Sequence, residues 1–353
     1  MAPSFQYSIE TVEEGLLEML VTCAGILVVD IIAADLPKVS DPGELIFTPR
    51  SIEVHLGGHS GNVSIDLRKL GLEKGYVSSI GAIGEDLFGD FLEAQLKAYG
   101  IITHLQRVPN VATSKDLILV VKGEDRRYHV DVGANWFLSP DHVLSVVSEE
   151  KPKIFYAGGV GLTGKLDEHL PEVLLKIKNL GSLTFIDPVT PYGRGWGFLI
   201  PTMKWTDIFH CNIYEAKQIT GRHNPHEAAR ALIEKGASLV VISHGDGGLR
   251  AETREYSVEM PAFRVPVVDP TGAGDALCAG IMSGLLKKMN RKHGDIANLS
   301  VEDLVDILLE GEAAGAACVT MVGTTTAVTR KNVDKILKEQ GEILKRNVKV
   351  SPV

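Results

Sequence analysis

The chain reads as an α/β fold, a central and mostly parallel sheet with helices on both faces. Three observations predict it. Strand-like apolar runs alternate with helical patterns along most of the 353 residues, the mark of parallel strands joined by crossover helices. Two regions, 37–56 and 101–132, break this rhythm with strand-like runs and no helix between them, as a small antiparallel subdomain does. Apolar residues make up 44% and charged residues 23%, a globular composition in a chain long enough to bury a large core.

Taken in order, residues 8–20 carry the pattern of a short amphipathic helix and belong to an N-terminal appendage, 1–21. The apolar stretch from Met19 to Val29 stops at Asp30. It is too short to span a bilayer, and Glu13, Glu14 and Glu18 do not suit a signal peptide. A buried strand at 26–32 is the better reading. Further strands are expected at 76–80, 117–121, 127–132, 153–156, 183–186, 207–211 and 239–243. Helices are expected at 62–70, 88–99, 171–179, 225–235, 276–289, 301–318 and 331–344. Residues 188–201 read as a structured loop and 346–353 as a C-terminal tail.

Net charge is −9 without a long basic run, which argues against nucleic acid as a partner. No stretch suits a membrane span. The widely spaced Cys23, Cys211, Cys278 and Cys318 fit neither a zinc pattern nor a disulfide framework, and point to a reducing cytoplasm.

Two glycine-rich stretches compete for a phosphate-binding role. Gly159-Val-Gly161-Leu-Thr-Gly164 matches GxGxxG, follows a strand-like run and precedes a second one ending at Asp187. That is the layout of a dinucleotide fingerprint, and so of an NAD-dependent dehydrogenase. In such a motif the glycines open directly into the helix that holds the phosphates. Here Pro171 suits the first helical position and places the helix start roughly six residues later, so this is the minor reading. The run from Gly159 to Lys165 also fits GxxxxGK, but Leu166 stands where a P-loop needs Ser or Thr.

Val268-Asp-Pro-Thr-Gly-Ala-Gly-Asp-Ala-Leu-Cys-Ala-Gly280 behaves differently. With Thr271 as N-cap, Gly272, Ala273 and Gly274 fall in a first helical turn whose N–H groups lack intrahelical partners and carry the positive end of the dipole. Dipole stabilisation accounts for Asp275 but not for the glycines. Phosphate oxygens resting on bare amides, with a carboxylate beside them, account for both.

Asp269-Pro-Thr-Gly-Ala-Gly-Asp275, followed by Ala-Leu-Cys-Ala-Gly280, resembles the C-terminal signature of the ribokinase-like (PfkB) carbohydrate kinases. Gly57-Gly58-His59-Ser60-Gly61-Asn62-Val63, Leu70-Gly71 and the run from Ile80-Gly81 to Gly89 resemble the N-terminal one. Gly133-Ala-Asn135, Asn212-Ile-Tyr-Glu215 with Ile219-Thr-Gly221, and Ser243-His-Gly245 follow in the family's order. The resemblance implies a ribokinase-like domain over 22–345, with lid segments near 36–56 and 101–132, that moves the γ-phosphate of ATP to a substrate hydroxyl.

Its motifs also imply roles. Asp275 would be the general base, and the amides of Gly272, Ala273 and Gly274 the anion hole. Asp30, Gly58, Asn62 and Asn135 would bind the acceptor, with Asp35 a weaker alternative to Asp30. Asn212, Ser243 and Gly245 would hold the nucleotide, with residues 313–323 as a wall against adenine. Glu215 would support Mg2+ through water, although Asn212 and Glu215 equally make a capping box. Asp269 and Thr271 match positions that hold a monovalent cation, K+, in some relatives. His59 falls at a variable position. A small sugar or polyol is the first expectation for the acceptor, then a nucleoside, then a phosphorylated sugar. Arg126, Arg127 and Tyr128 read equally well as contacts to a phosphorylated or aromatic substrate and as a solvated strand. Lids pair subunits in many relatives, so a homodimer is expected. A noncatalytic sugar-binding protein on the same scaffold is opposed by the intact Asp275.

Overall fold

The computed structural model describes residues 18–124, 126–289, 296 and 299–353. The expected helix at 8–20 lies, up to residue 17, outside them. In chain order the strands are β1 (Val21–Gly25), β2 (Val28–Leu36), β3 (Glu53–Gly57), β4 (Val77–Gly84), β5 (Ile102–Val108), β6 (Lys115–Val121) and β7 (Arg127–Asp131). After these come β8 (Ile154–Val160), β9 (Leu183–Pro188), β10 (Ile208–Asn212), β11 (Leu239–Ser243), β12 (Leu249–Glu252), β13 (Tyr256–Met260) and β14 (Lys349–Pro352). The α-helices are α1 (His59–Lys69), α2 (Leu87–Ala98), α3 (Pro140–Glu150), α4 (Lys165–Glu168), α5 (Leu170–Asn179) and α6 (Ile213–Thr220), then α7 (Pro225–Glu234), α8 (Ala273–Met289), α9 (Val301–Cys318), α10 (Arg330–Ile336) and α11 (Glu342–Arg346).

Ten strands form one sheet in the order β14-β13-β12-β11-β10-β9-β8-β1-β4-β5, parallel from β11 to β5. The antiparallel β12, β13 and β14 extend one edge. Alternation along the strands feeds two cores. Cys23, Tyr156 and Phe185 join α1, α8 and α9 on one face. Ala24, Phe155 and Ile186 join α3, α5, α6 and α7 on the other.

A second sheet, β3-β2-β6-β7, forms the lid. It is mixed rather than antiparallel, because β2 and β6 run parallel. Its extent also differs from expectation. Residues 102–108 leave the lid and pair with β4 in the large sheet, whereas residues 28–36 join it. The strand expected at 26–32 breaks after Gly25, whose φ of +146° and close approach to the Gly158 carbonyl admit no side chain. There the chain crosses from the large sheet to the lid. Asn135 bridges the gap: its Oδ1 accepts from Leu27 N at 3.1 Å and its Nδ2 donates to Leu27 O at 2.9 Å. The tail at 346–353 supplies β14, and the helix expected at 331–344 is interrupted by a π-turn over Leu337–Gly341. No helix among the described residues is long and apolar enough to cross a membrane.

Candidate active site

The C-terminal ends of the parallel strands and the N-termini of α1 and α8 meet at one place, where open α/β sheets bind ligands. α8 starts at Ala273, one residue later than a Thr271 N-cap implies and three earlier than the helix expected at 276–289. Gly272 precedes it with φ +80°, and a Cβ there would lie 2.7 Å from Thr324 O. The Gly272 carbonyl accepts from Ala276 N at 2.9 Å, so Gly272 and not Thr271 is the N-cap. Thr271 is diverted: its hydroxyl donates to Asp269 Oδ1 at 2.6 Å.

Asp275 lies in the first turn of α8, buried. Asn62 Nδ2, from α1, donates to its Oδ2 at 2.8 Å, and Thr324 Oγ1 holds Asn62 Oδ1 at 2.9 Å. The other oxygen, Oδ1, has no hydrogen-bond partner among the described residues and lies 4.0 Å from His59 Nε2. Burial lifts this carboxyl above the ordinary carboxylate range, with His59 and Asn62 pulling back.

Beneath α8 runs a buried network that motif reading did not find. His210 Nδ1 pairs with Asp187 Oδ1 at 2.9 Å and its Nε2 with Ser243 Oγ at 3.1 Å. Tyr156 donates to Asp187 Oδ2 at 2.8 Å. Burial alone would neutralise the imidazole, but the Asp187 carboxylate outweighs it and raises the His210 pKa. A Cβ on Gly274 would stand 3.3 Å from His210 Cε1, so the network packs directly under the first turn of α8. His59, Asp187 and Asp275 each place one ligand atom within 4.8 Å of the others.

Asp30 sits on β2, within the lid sheet. Burial first, then Asp116 and Asp275, push its carboxyl up to about 7. Gly57 must be glycine, since a Cβ would fall 2.2 Å from Asp30 Oδ2. Asp35 is half exposed and paired with Arg50 at 2.7 Å. Gly58, with φ +86°, caps α1. A cavity of about 660 Å³ runs between the lid, α1, α2 and the loops at 268–271 and 322–326; Asp30 and Thr271 line it, and Asp275 does not.

Asn212 and Glu215 form the capping box, at 2.9 Å in both directions. Burial lifts Glu215 to about 7. Gly245 turns at φ +53° beyond β11. Asp269 accepts from Thr271 N, Gly323 N and, at 2.7 Å, Arg126 Nη1.

The competing loop does not have the helix delay expected after Gly164. A helical turn, α4, does open directly after Gly164. Its entry is already filled: Asp167 accepts from Gly161 N at 3.2 Å, Thr163 N at 3.1 Å and Thr163 Oγ1 at 2.5 Å.

Residues 19–331 match the pfkB family carbohydrate kinases. Aminoimidazole riboside kinase of Salmonella typhimurium is 28% identical over 77% of this chain and 84% of its own. The fructokinase of Xylella fastidiosa with bound ATP superposes with a TM-score of 0.76 at 23% identity, covering 92% of this chain and 100% of that one. Arabidopsis thaliana ribokinase, complexed with ribose and ATP, gives a TM-score of 0.74 at 22% identity over 91% and 99%.

Proposed function

The chain belongs to the pfkB family of carbohydrate kinases, and we propose that it moves the γ-phosphate of ATP to a hydroxyl of a small sugar or polyol. One observation carries this reading. A buried carboxylate, Asp275, has one oxygen held by Asn62 and the other without a partner among the described residues, beside the amides of a helix start. Asp30 accepts hydrogen bonds from the acceptor under the lid, and Asn135 fixes the backbone at Leu27 that delivers Asp30. The reacting hydroxyl meets Asp275 Oδ1, which takes its proton as the oxygen attacks the γ-phosphorus and ADP departs. Amides at 272–274 stabilise charge on the transferring group, and Asn212, Ser243 and Gly245 hold the nucleotide side. Oxygen-rich donors suit Mg2+; Asp187 and, through water, Glu215 would hold it, and when bound it neutralises phosphate charge.

A second acceptor class, a nucleoside, is favoured by the cavity's size and by Phe91 and Tyr99 in its wall. Four buried free thiols suit a cytoplasmic protein, and the exposed lid edge suits a homodimer. The test is nucleotide consumption against sugars, polyols and nucleosides, with NAD(H) absorbance followed alongside. Asp275→Asn is expected to cut kcat at least about 100-fold while fold and nucleotide affinity survive. A variant with near-normal kcat would reduce the carboxylate to a dipole partner and end this reading.

A further inference from the structure

We infer that Arg126, carried on the lid, is a positioning residue for the phosphate-binding turn, acting through Asp269. The inference rests on the kinase reading. Arg126 leads into β7, and its Nη1 meets Asp269 Oδ1 at 2.7 Å, with the two side chains only 16% and 15% exposed. Tyr128, two residues on and so on the same face of the extended chain, has its ring centre 5.8 Å from the guanidinium; burial pushes its hydroxyl's pKa up, while Arg126 and Thr271 beside it pull back. Arg126 therefore grips the start of the segment that leads into α8, with the Tyr128 ring beside its guanidinium.

Asp269 spends its other hydrogen bonds on the two loops that shape the anion site. Oδ1 takes Thr271 N at 3.0 Å and the Thr271 hydroxyl, and Oδ2 takes Gly323 N at 3.1 Å. Gly272 comes next, wedged against Thr324. Thr324 in turn holds Asn62, and Asn62 holds Asp275. One continuous set of contacts thus runs from the lid to the catalytic carboxylate. A guanidinium suits the hub because it neutralises a part-buried carboxylate and keeps a fixed direction. Seating the lid and setting the turn become one event, and whatever favours one favours the other.

Binding of the ATP analogue AMP-PNP with Mg2+, measured by calorimetry on the full chain, tests this without any acceptor. Arg126→Ala and Arg126→Gln are expected to weaken affinity by roughly tenfold or more. Millimolar guanidinium should restore most of the loss in Arg126→Ala, sodium chloride of equal ionic strength should not, and Arg126→Ala with Asp269→Asn should not respond. Unchanged affinity in a folded Gln variant overturns the inference. So does rescue by sodium chloride to the same level, which marks a general salt effect, or rescue that persists without Asp269. A wild-type chain that fails to bind AMP-PNP defeats the kinase reading instead, so the two failures are distinct.

Discussion

At Asp30 a carboxyl group is kept buried in the lid sheet at an energetic cost. Its folded pKa is lifted to about 7 by burial and by Asp116 and Asp275. Below the ordinary carboxylate range both folded and unfolded chains hold the proton. Between that range and about 7 only the folded chain does, so stability is full at low pH and is lost as pH rises through about 7. Asp30→Asn should therefore stabilise the ligand-free protein at mildly alkaline pH, on the order of 1–4 kcal/mol, while raising the acceptor KM. In the wild type, acceptor KM should rise as pH falls below about 7, where the proton blocks the hydrogen-bond acceptor. Melting curves and steady-state kinetics across pH check both; a variant that melts lower at alkaline pH makes the carboxylate structural. Asp30 was legible in the sequence because a charge interrupts an apolar run. Asp187 and His210 were not. Each reads as one polar residue near the end of its own strand, and only the β9–β10 register, pairing Ile186 with Phe209, sets them side by side.

The start of α8 shows how an element can be found and still be misplaced by a residue. Thr is a good N-cap by propensity, but here Asp269 claims its hydroxyl and moves the cap to Gly272. That role sets a sharper demand than small size. At φ +80°, with Thr324 2.7 Å from the position of a Cβ, alanine meets both backbone strain and a clash. Gly272→Ala should cost about 1–3 kcal/mol of stability and weaken nucleotide binding with it. Gly274→Val should behave otherwise. Gly274 has no positive φ, and its Cβ would meet only the His210 ring at 3.3 Å, so nucleotide affinity should fall further than stability. Chemical denaturation paired with calorimetric titration separates the two, and equal losses in both variants would refute the distinction. The 159–164 loop adds a limit of the same kind: spacing reveals glycines, but not that Asp167 already takes the amides of Gly161 and Thr163.

The alternation that predicts a parallel sheet came through at the scale of the whole molecule because it depends only on local periodicity. The lid's membership did not, since β5 reads like its lid neighbours and only its pairing with β4 assigns it elsewhere. Partner choice between strands is a tertiary fact, and oligomeric state is one step further out. Across the lid, Asp30 pairs with Asp116 and Asp116 with Val130, while Ile32 pairs with Ile118 and Ile118 with Tyr128. Paired residues share a face, so the face that carries Asp30 carries both rows. Ile118 is buried, but Tyr128 and Val130 on β7 are 48% and 49% exposed. A free edge strand with apolar residues beside a binding face is a liability that folded proteins usually cover. A second copy of the chain, its lid laid against this edge, would cover it and would close the proposed acceptor site at the same time. The protein should then sediment as a dimer at micromolar concentration. Val130→Lys should shift it towards monomer and raise acceptor KM, leaving nucleotide affinity within a few-fold. Analytical ultracentrifugation with parallel kinetics decides the matter: a monomeric wild type, or a monomeric variant with unchanged KM, removes the partner from the acceptor site.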